Sequence, residues 1–168
     1  MTLAIRDARP DEREPVATLT RLAYAEIARV MEPPAWHAFS NAMESALAGH
    51  SPVERIVAEQ DGALVGSAML YPAASSAYTD ESQRVSWPEV RLVAVRPDQR
   101  GRGIARAIME ECIRRARAAG ADAIGLHTSR SFRAAVQMYT AMGFQRVPEH
   151  DFRPPGAELV EAYRLTLR

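Results

Sequence analysis

The sequence contains no lysine, a single cysteine and no long apolar run. All 21 of its basic residues are arginine, in a chain of 168 residues. Without lysine the chain cannot form the Schiff base of pyridoxal phosphate chemistry. It also lacks the lysine that a P-loop nucleotidase places on its phosphates. Cys112 has no partner for an internal disulfide, which is typical of a reducing compartment.

Charge and hydropathy narrow the class of protein further. No apolar stretch approaches the roughly 20 residues that a membrane span requires. The N-terminal stretch turns acidic at once and lacks the apolar core of a signal peptide. The 21 acidic residues balance the 21 basic ones, so the formal net charge of zero argues against a general nucleic-acid binder. We therefore expect a soluble, cytoplasmic protein that contacts neither membranes nor nucleic acid.

The arrangement of apolar residues predicts one domain over residues 1–168, because no repeat or linker divides the chain. Periodicity predicts the order β-α-α-β-β-β-α-β-α-β-β, with one unbroken helix from Pro10 to Met31. Asp61-Gly62 predicts a two-residue hairpin turn. Hairpins early and helical crossovers late indicate an α/β fold (α+β in some schemes). We expect a mixed central sheet of about seven strands with helices on both faces.

The segment VRLVAVRPDQRGRGIARAIM joins an apolar strand to an amphipathic helix through a glycine-rich turn. A helix N-terminus presents unsatisfied N–H groups and a partial positive charge. Gly101 and Gly103 would let an anion approach this backbone closely, with Arg100 and Arg102 as nearby cations. The expected ligand is a phosphate or pyrophosphate. A plain strand-to-helix turn would explain the same two glycines.

A dinucleotide-binding fingerprint fits this segment less well. That pattern, G-x-G-x-x-G, requires a third small residue, and Arg106 occupies the place here. It also lies early in a βαβ unit, whereas these glycines come late in the chain.

The run from Arg100 to Ala105 resembles the acetyl-CoA-binding motif R/Q-x-x-G-x-G/A of the Gcn5-related N-acetyltransferase (GNAT) superfamily. A second signature of that superfamily is a helix with an Ala and a Tyr, followed by Gly-Phe. Ala135, Tyr139 and Gly143-Phe144 match it. The predicted order of elements is similar to that of the superfamily along the whole chain. The resemblance implies a GNAT fold, with acetyl-CoA as cosubstrate and no metal.

The resemblance also implies which residues bind the cosubstrate. Backbone N–H groups would hold the pyrophosphate, from Arg100, Gly101, Arg102, Gly103, Ile104 and Ala105. The strand residues Val93, Ala94 and Val95 would pair with the pantetheine arm as an added strand does. The N–H group of Val93 or of a neighbour would polarise the thioester carbonyl.

Two residues carry the expected catalysis. Tyr139 matches the tyrosine that protonates the departing thiolate, and its helical spacing also suits a core aromatic. Glu89 lies where one branch of the superfamily has a general base, and a solvated strand-end carboxylate is the alternative. His127, at the end of the next strand, is a further candidate for proton relay.

One position departs from the superfamily. Many members carry an Asn seven residues before the tyrosine, where it bonds the cofactor arm, and Phe132 stands there in this chain. Ser131, beside it, is a candidate substitute.

We interpret the sequence as an acyl-CoA-dependent N-acetyltransferase in which the amine attacks the thioester directly in a ternary complex. The acceptor would be a small amine or a peptide N-terminus, and a homodimer is one assembly that the pattern allows. Residues 11–49 and 72–84 are expected to wall the acceptor pocket, with Glu26, Glu32 and Glu44 as candidate partners of a cationic amine. The alternatives are a non-catalytic CoA-binding regulatory module with a GNAT fold and a nucleotide-binding regulator.

Overall fold

The computed structural model describes residues 2–50, 53–73 and 85–168, which form a mixed sheet with helices on both faces. The strands are β1 (Leu3–Asp7), β2 (Glu54–Gln60), β3 (Ala63–Tyr71), β4 (Glu89–Val95), β5 (Ala123–Thr128), β6 (Gln145–Arg146) and β7 (Glu161–Thr166). The helices are α1 (Arg13–Tyr24), α2 (Pro33–Ala48), α3 (Ile104–Ala118) and α4 (Arg133–Ala141). The predicted fold class and the predicted order of helices and strands are confirmed.

The sheet runs in the order β1-β2-β3-β4-β5-β7-β6. Its one parallel pair is β4 with β5, and the other neighbours are antiparallel. The predicted hairpin joins β2 to β3, with Asp61 at φ 51° and Gly62 at φ 79°. Two successive positive φ values are what the tight turn demands, and the Asp-Gly pair tolerates them.

Successive side chains along β3 point to opposite faces of the sheet and so belong to two different hydrophobic layers. Ala68 and Leu70 pack into the layer under α3 and α4, together with Ile108 and Tyr139. Met69 and Tyr71 point to the other face, where they pack beneath α1 and α2. The period of two in a strand therefore places the helical pairs on opposite faces of the sheet. Among the described residues, no helix is long and apolar enough to cross a membrane.

The first helix is shorter than its apolar spacing predicts. It ends at Tyr24, and residues Ala25–Arg29 continue as a tighter 3₁₀ helix. A 3₁₀ helix turns 120° per residue instead of 100°, so residues beyond Tyr24 leave the phase of the buried stripe. Val30 is consequently 68% exposed, and Leu22, on the flank of α1, is 54% exposed. The prediction of one unbroken helix to Met31 was wrong.

A buried carboxylate fixes the start of α1. Glu12 is buried, and both its oxygens accept hydrogen bonds from the Arg6 guanidinium, at 2.8 and 2.9 Å. The backbone N–H of Arg9 donates to the same carboxylate at 2.7 Å. The Arg6 hydrogen bonds lower the pKa of Glu12 to about 2, with burial opposing them and the Arg9 N–H reinforcing them. This contact fixes the start of α1 to β1. The other end of α1 is Tyr24, which lines the cleft between β4 and β5.

We expect Glu12→Gln to lower the free energy of unfolding by about 2 kcal/mol at pH 7, because the Arg6 guanidinium loses its buried counter-charge. The folded pKa of Glu12 is depressed, so its stabilisation is present above the unfolded pKa and is lost as pH falls toward about 2. Urea unfolding should show that the free energies of unfolding of the two proteins converge as pH falls through that range. Glu14→Gln, at an exposed position on the same helix, is the control and should change little. A difference in free energy of unfolding between Glu12→Gln and the parent that does not narrow as pH falls would contradict this account.

Candidate active site

A cleft of about 1710 Å³ opens where β4 and β5 part, bounded by all four helices of the described chain. Strands β4 and β5 pair only at Glu89 with Gly125 and at Val90 with Leu126. The ladder between β3 and β4 also shifts register here, and Leu92 adopts φ 55°. A non-glycine residue in that region costs about 1 kcal/mol. The bulge at Leu92 turns the later part of β4 away from β5 and leaves backbone groups facing the gap.

The N-terminus of α3 forms one end of the cleft. Gly101 and Gly103 have φ 74° and 77°, which favour glycine. A side chain added at either position would meet no atom within 4 Å, so these glycines border open space rather than a packed wall. In the part of the chain that the structure describes, no acceptor lies on the backbone N–H groups of residues 101–106. This is the donor set that an anion requires at a helix N-terminus.

The two arginines of this turn point to protein partners. Arg100 donates to the Ala23 carbonyl at 2.7 Å and forms an ion pair with Glu26. Arg102 donates to Gln99 at 3.1 Å, and its side chain does not line the cleft. The guanidinium groups thus brace the turn, and the backbone N–H groups of residues 101–106 remain as donors at this end.

The acetyltransferase (GNAT) family model matches residues 18–144, which include both the parted strands and the glycine-rich turn. The chain belongs to the GNAT family. No curated protein matches it in sequence.

Solved GNAT structures share the fold at low sequence identity. The GNAT acetyltransferase from Staphylococcus aureus Mu50 is 15% identical, with a TM-score of 0.68 over 99% of this chain and 100% of that one. The ribosomal-protein-S18-alanine N-acetyltransferase from Escherichia coli is 16% identical, with a TM-score of 0.66 over 99% and 94%. A GNAT acetyltransferase from Brucella melitensis, solved with acetyl-CoA, is 20% identical, with a TM-score of 0.61 over 99% and 89%.

The cleft of this GNAT protein brings together most of the residues that the sequence singles out. Lining it are Val93, Ala94, Val95, Arg100, Gly101, Gly103, Ile104, Ala105 and Tyr139. Arg102 and Glu89 are near the cleft but not on its lining. Strand residues 93–95 belong to the stretch of β4 that has left β5, as the predicted pairing with an extended arm requires.

Tyr139 is buried on α4, with its ring 5.8 Å from that of Phe144. Its hydroxyl makes no hydrogen bond to any described residue. Burial raises the pKa of this phenol well above its ordinary value, and the neighbouring groups of Tyr24 and Cys112 add to the rise. Tyr139 therefore stays protonated and can act only as a proton donor at neutral pH. The core and catalytic interpretations of its spacing are compatible, since the side chain is packed and borders the cleft.

Glu89 is buried next to the cleft and does not line it. It is 3% exposed, and it accepts a hydrogen bond from the Trp87 indole at 3.2 Å. Its other oxygen lies 3.1 Å from Nδ1 of His127. A side chain on Gly125 would come within 2.2 Å of the indole nitrogen, so glycine alone leaves room for this contact. The carboxylate is neither solvated nor directly open to a ligand.

His127 borders the cleft and uses both ring nitrogens within the protein. Nε2 lies 2.9 Å from the His150 carbonyl, which only accepts, so this nitrogen carries a hydrogen and donates it. Burial lowers the pKa of His127, but the hydrogen bond and charge of Glu89 outweigh it, and the net shift is upward. Glu89 and His127 thus form one buried hydrogen-bonded pair.

Phe132, in the place of the family's Asn, joins an aromatic cluster across the cleft. Its ring centroid is 5.7 Å from that of Tyr24 and 5.5 Å from that of Phe39. Ser131, the candidate substitute for that Asn, lines the cleft, and its hydroxyl donates to Glu158 at 2.7 Å. The cluster unites α1, α2 and the start of α4, three segments far apart in the chain.

Tyr24 has a role that the sequence did not indicate. Its hydroxyl donates to the Val93 carbonyl at 2.8 Å, just beyond the bulge. Burial raises the pKa of this phenol, so the hydroxyl remains a donor. Helix α1 thereby holds the freed part of β4 in place. No local signal marks this contact, because the two residues are 69 positions apart.

The remaining sequence candidates lie elsewhere. Cys112 is fully buried, and burial raises the pKa of its thiol to about 12, which makes it a packing residue. Glu44 forms an ion pair with Arg21 at 2.7 Å, outside the cleft. The described residues include no group of three or more His, Cys, Asp and Glu side chains that could hold a metal. The predicted loop 72–84, with Tyr78, lies outside the described residues beyond position 73.

Proposed function

We propose that residues 1–168 form one acetyltransferase domain that transfers the acetyl group of acetyl-CoA to a primary amine. The observation that carries this is the joining of two features in one cleft. Free N–H groups at the N-terminus of α3 lie at one end, and the parted strand β4 runs from there toward Tyr139. Solved GNAT relatives that contain acetyl-CoA support this choice of cosubstrate.

The residues present fit such a cosubstrate. The N–H groups of residues 101–106 would hold its pyrophosphate, in the open space beside Gly101 and Gly103. The backbone of residues 93–95 would pair with the amides of the pantetheine arm. The Val93 carbonyl already accepts from Tyr24, so it contributes through its second lone pair. When bound, acetyl-CoA supplies an activated acetyl thioester.

The acceptor amine would attack that thioester directly, within a ternary complex. A backbone N–H at residues 93–95 stabilises the charge that develops on the carbonyl oxygen. Tyr139 donates a proton to the departing sulfur, a role that suits a phenol held in its protonated form. The apolar walls around it exclude water and so strengthen both interactions.

The proton released by the amine would pass to the Glu89–His127 pair through water. Neither side chain reaches the cleft freely, so Glu89 acts behind His127 and not by direct contact with the amine. Nε2 already carries the hydrogen that it donates to the His150 carbonyl, so the incoming proton would bind at Nδ1, between the imidazole and the Glu89 carboxylate. The upward shift of the His127 pKa favours capture of the proton.

Turnover of acetyl-CoA over a panel of primary amines tests the proposal, by the rate of thiol release. We expect Tyr139→Phe to lower kcat on the order of 100-fold, because the leaving thiolate loses its proton donor. The unfolding midpoint serves as the control and should stay near that of the parent, since this hydroxyl bonds to no described residue. CoA binding without turnover of any amine, unaffected by Tyr139→Phe, would instead favour the non-catalytic module.

Glu89→Gln should move the acidic limb of the kcat/KM profile to lower pH. Glu89 raises the pKa of His127, so its removal lets the imidazole lose its proton at lower pH and extends the active range downward. The amide should also lower the maximal rate, since the pair can no longer hold the proton as stably. Glu32→Gln, an exposed position that does not line the cleft, is the control. An acidic limb at the same pH in the variant and in the parent would exclude His127 as the group that sets it.

Gly103→Glu should weaken CoA binding on the order of 100-fold, because it brings a negative charge to the place of the pyrophosphate. Calorimetry with CoA measures this directly. Gly62→Glu is a matched control, since Gly62 has φ 79° and equally open surroundings in the β2–β3 turn. The control carries the same backbone strain far from the cleft and should bind CoA normally. Equal affinity of the Gly103→Glu protein and its parent for CoA would overturn the assignment of this turn as the pyrophosphate site.

A further inference from the structure

We propose that the acceptor is a monoamine carrying an aliphatic or aromatic group, not a polyamine, an aminoglycoside or a basic peptide. This rests on the proposed function and concerns the wall of the cleft around Tyr24, whose hydroxyl donates to the Val93 carbonyl. The 3₁₀ segment after α1 and helix α2 form that wall, which includes Tyr24, Ile27, Val30, Met31 and Phe39.

The apolar side chains of this wall are available to a ligand. Val30 borders the cleft and is 68% exposed, although an isolated valine side chain favours burial. Phe39 is only partly buried, 5.3 Å from Tyr24 and 5.9 Å from Trp36 by ring centroids. A ligand group that covers Val30 and Phe39 would remove apolar surface from water, which stabilises the complex.

The carboxylates of the cleft already have partners. Among the described lining residues these are Glu26, which is ion-paired with Arg100, and Glu158, which accepts from the hydroxyls of Ser129 and Ser131. Glu44, which the sequence offered as a partner for a cationic amine, is held by Arg21. A second ammonium on the acceptor would therefore find no unengaged carboxylate on the described wall.

The cations that line the described cleft are largely paired as well. Arg100, Arg106 and Arg130 form ion pairs with Glu26, Glu110 and Glu161. This pairing leaves the apolar side chains of the wall to select the acceptor, which favours an acceptor whose body is uncharged.

The test compares two amines of the same shape, n-heptylamine and 1,6-diaminohexane, which differ in a terminal methyl against a terminal ammonium. We expect kcat/KM for n-heptylamine to exceed that for the diamine by about tenfold or more, since the wall buries the methyl and offers a second ammonium no unengaged carboxylate among the described residues. Phenylethylamine should behave like n-heptylamine. Preference for the diamine would overturn this inference and leave the proposed acetyltransferase intact.

The variant Val30→Asp tests whether this wall contacts the acceptor. This exposed position tolerates a carboxylate, which would add a negative charge to the wall and lower the n-heptylamine to diamine ratio by about threefold. Leu22→Asp is the matched control, because Leu22 is 54% exposed and does not line the cleft. Equal ratios in both variants and the parent would overturn the assignment of this wall.

Calorimetry with the CoA complex covers the case in which no amine is turned over. Such an absence of turnover counts against the proposed function, whereas binding still decides the chemistry of the pocket. We expect n-heptylamine to bind the complex more tightly than 1,6-diaminohexane. Equal or reversed affinities would contradict the inference independently of catalysis.

Discussion

The rest of the site depends on how far two parallel strands stay together. Strands β4 and β5 share pairing at two positions and then part, because Leu92 enters the left-handed region and shifts the register of β4. The fold accepts about 1 kcal/mol of local strain at Leu92, and it leaves part of β4 without a neighbouring strand on the β5 side. The extended, amide-bearing arm of the proposed cosubstrate would supply pairing along this stretch.

At the end of the cleft proposed to bind an anion, backbone donors are more available than side-chain charges. The N–H groups of residues 101–106 have no acceptor among the described residues, while the guanidinium groups of Arg100 and Arg102 engage protein acceptors. Backbone donors do not titrate, and the helix that follows fixes their orientation. In a chain without lysine, this geometry would do what a cationic side chain does in many phosphate sites.

Local patterns in the sequence predicted the fold and much of the site. The Asp61-Gly62 hairpin, the glycine turn and the Tyr139 helix are each determined by residues close together in the chain, and the structure has all three features. Contacts between segments that are far apart in the sequence could not be predicted from these local patterns. The reach of Tyr24 to Val93, the cluster around Phe132 and the shielding of Glu89 by Trp87 depend on which elements become neighbours. Helical spacing likewise could not show that the helix tightens after Tyr24, since 3₁₀ geometry leaves no distinct apolar period over five residues.

The contact of Arg100 with the end of α1 joins the glycine turn to the wall around Tyr24. Arg100 donates to the Ala23 carbonyl and forms an ion pair with Glu26, both next to that wall. In the proposed acetyltransferase, a shift of the turn on binding of the cosubstrate would reach the wall through this arginine. Thermodynamic linkage would make such a coupling reciprocal, so an acceptor on the wall would alter the affinity of the turn by the same factor.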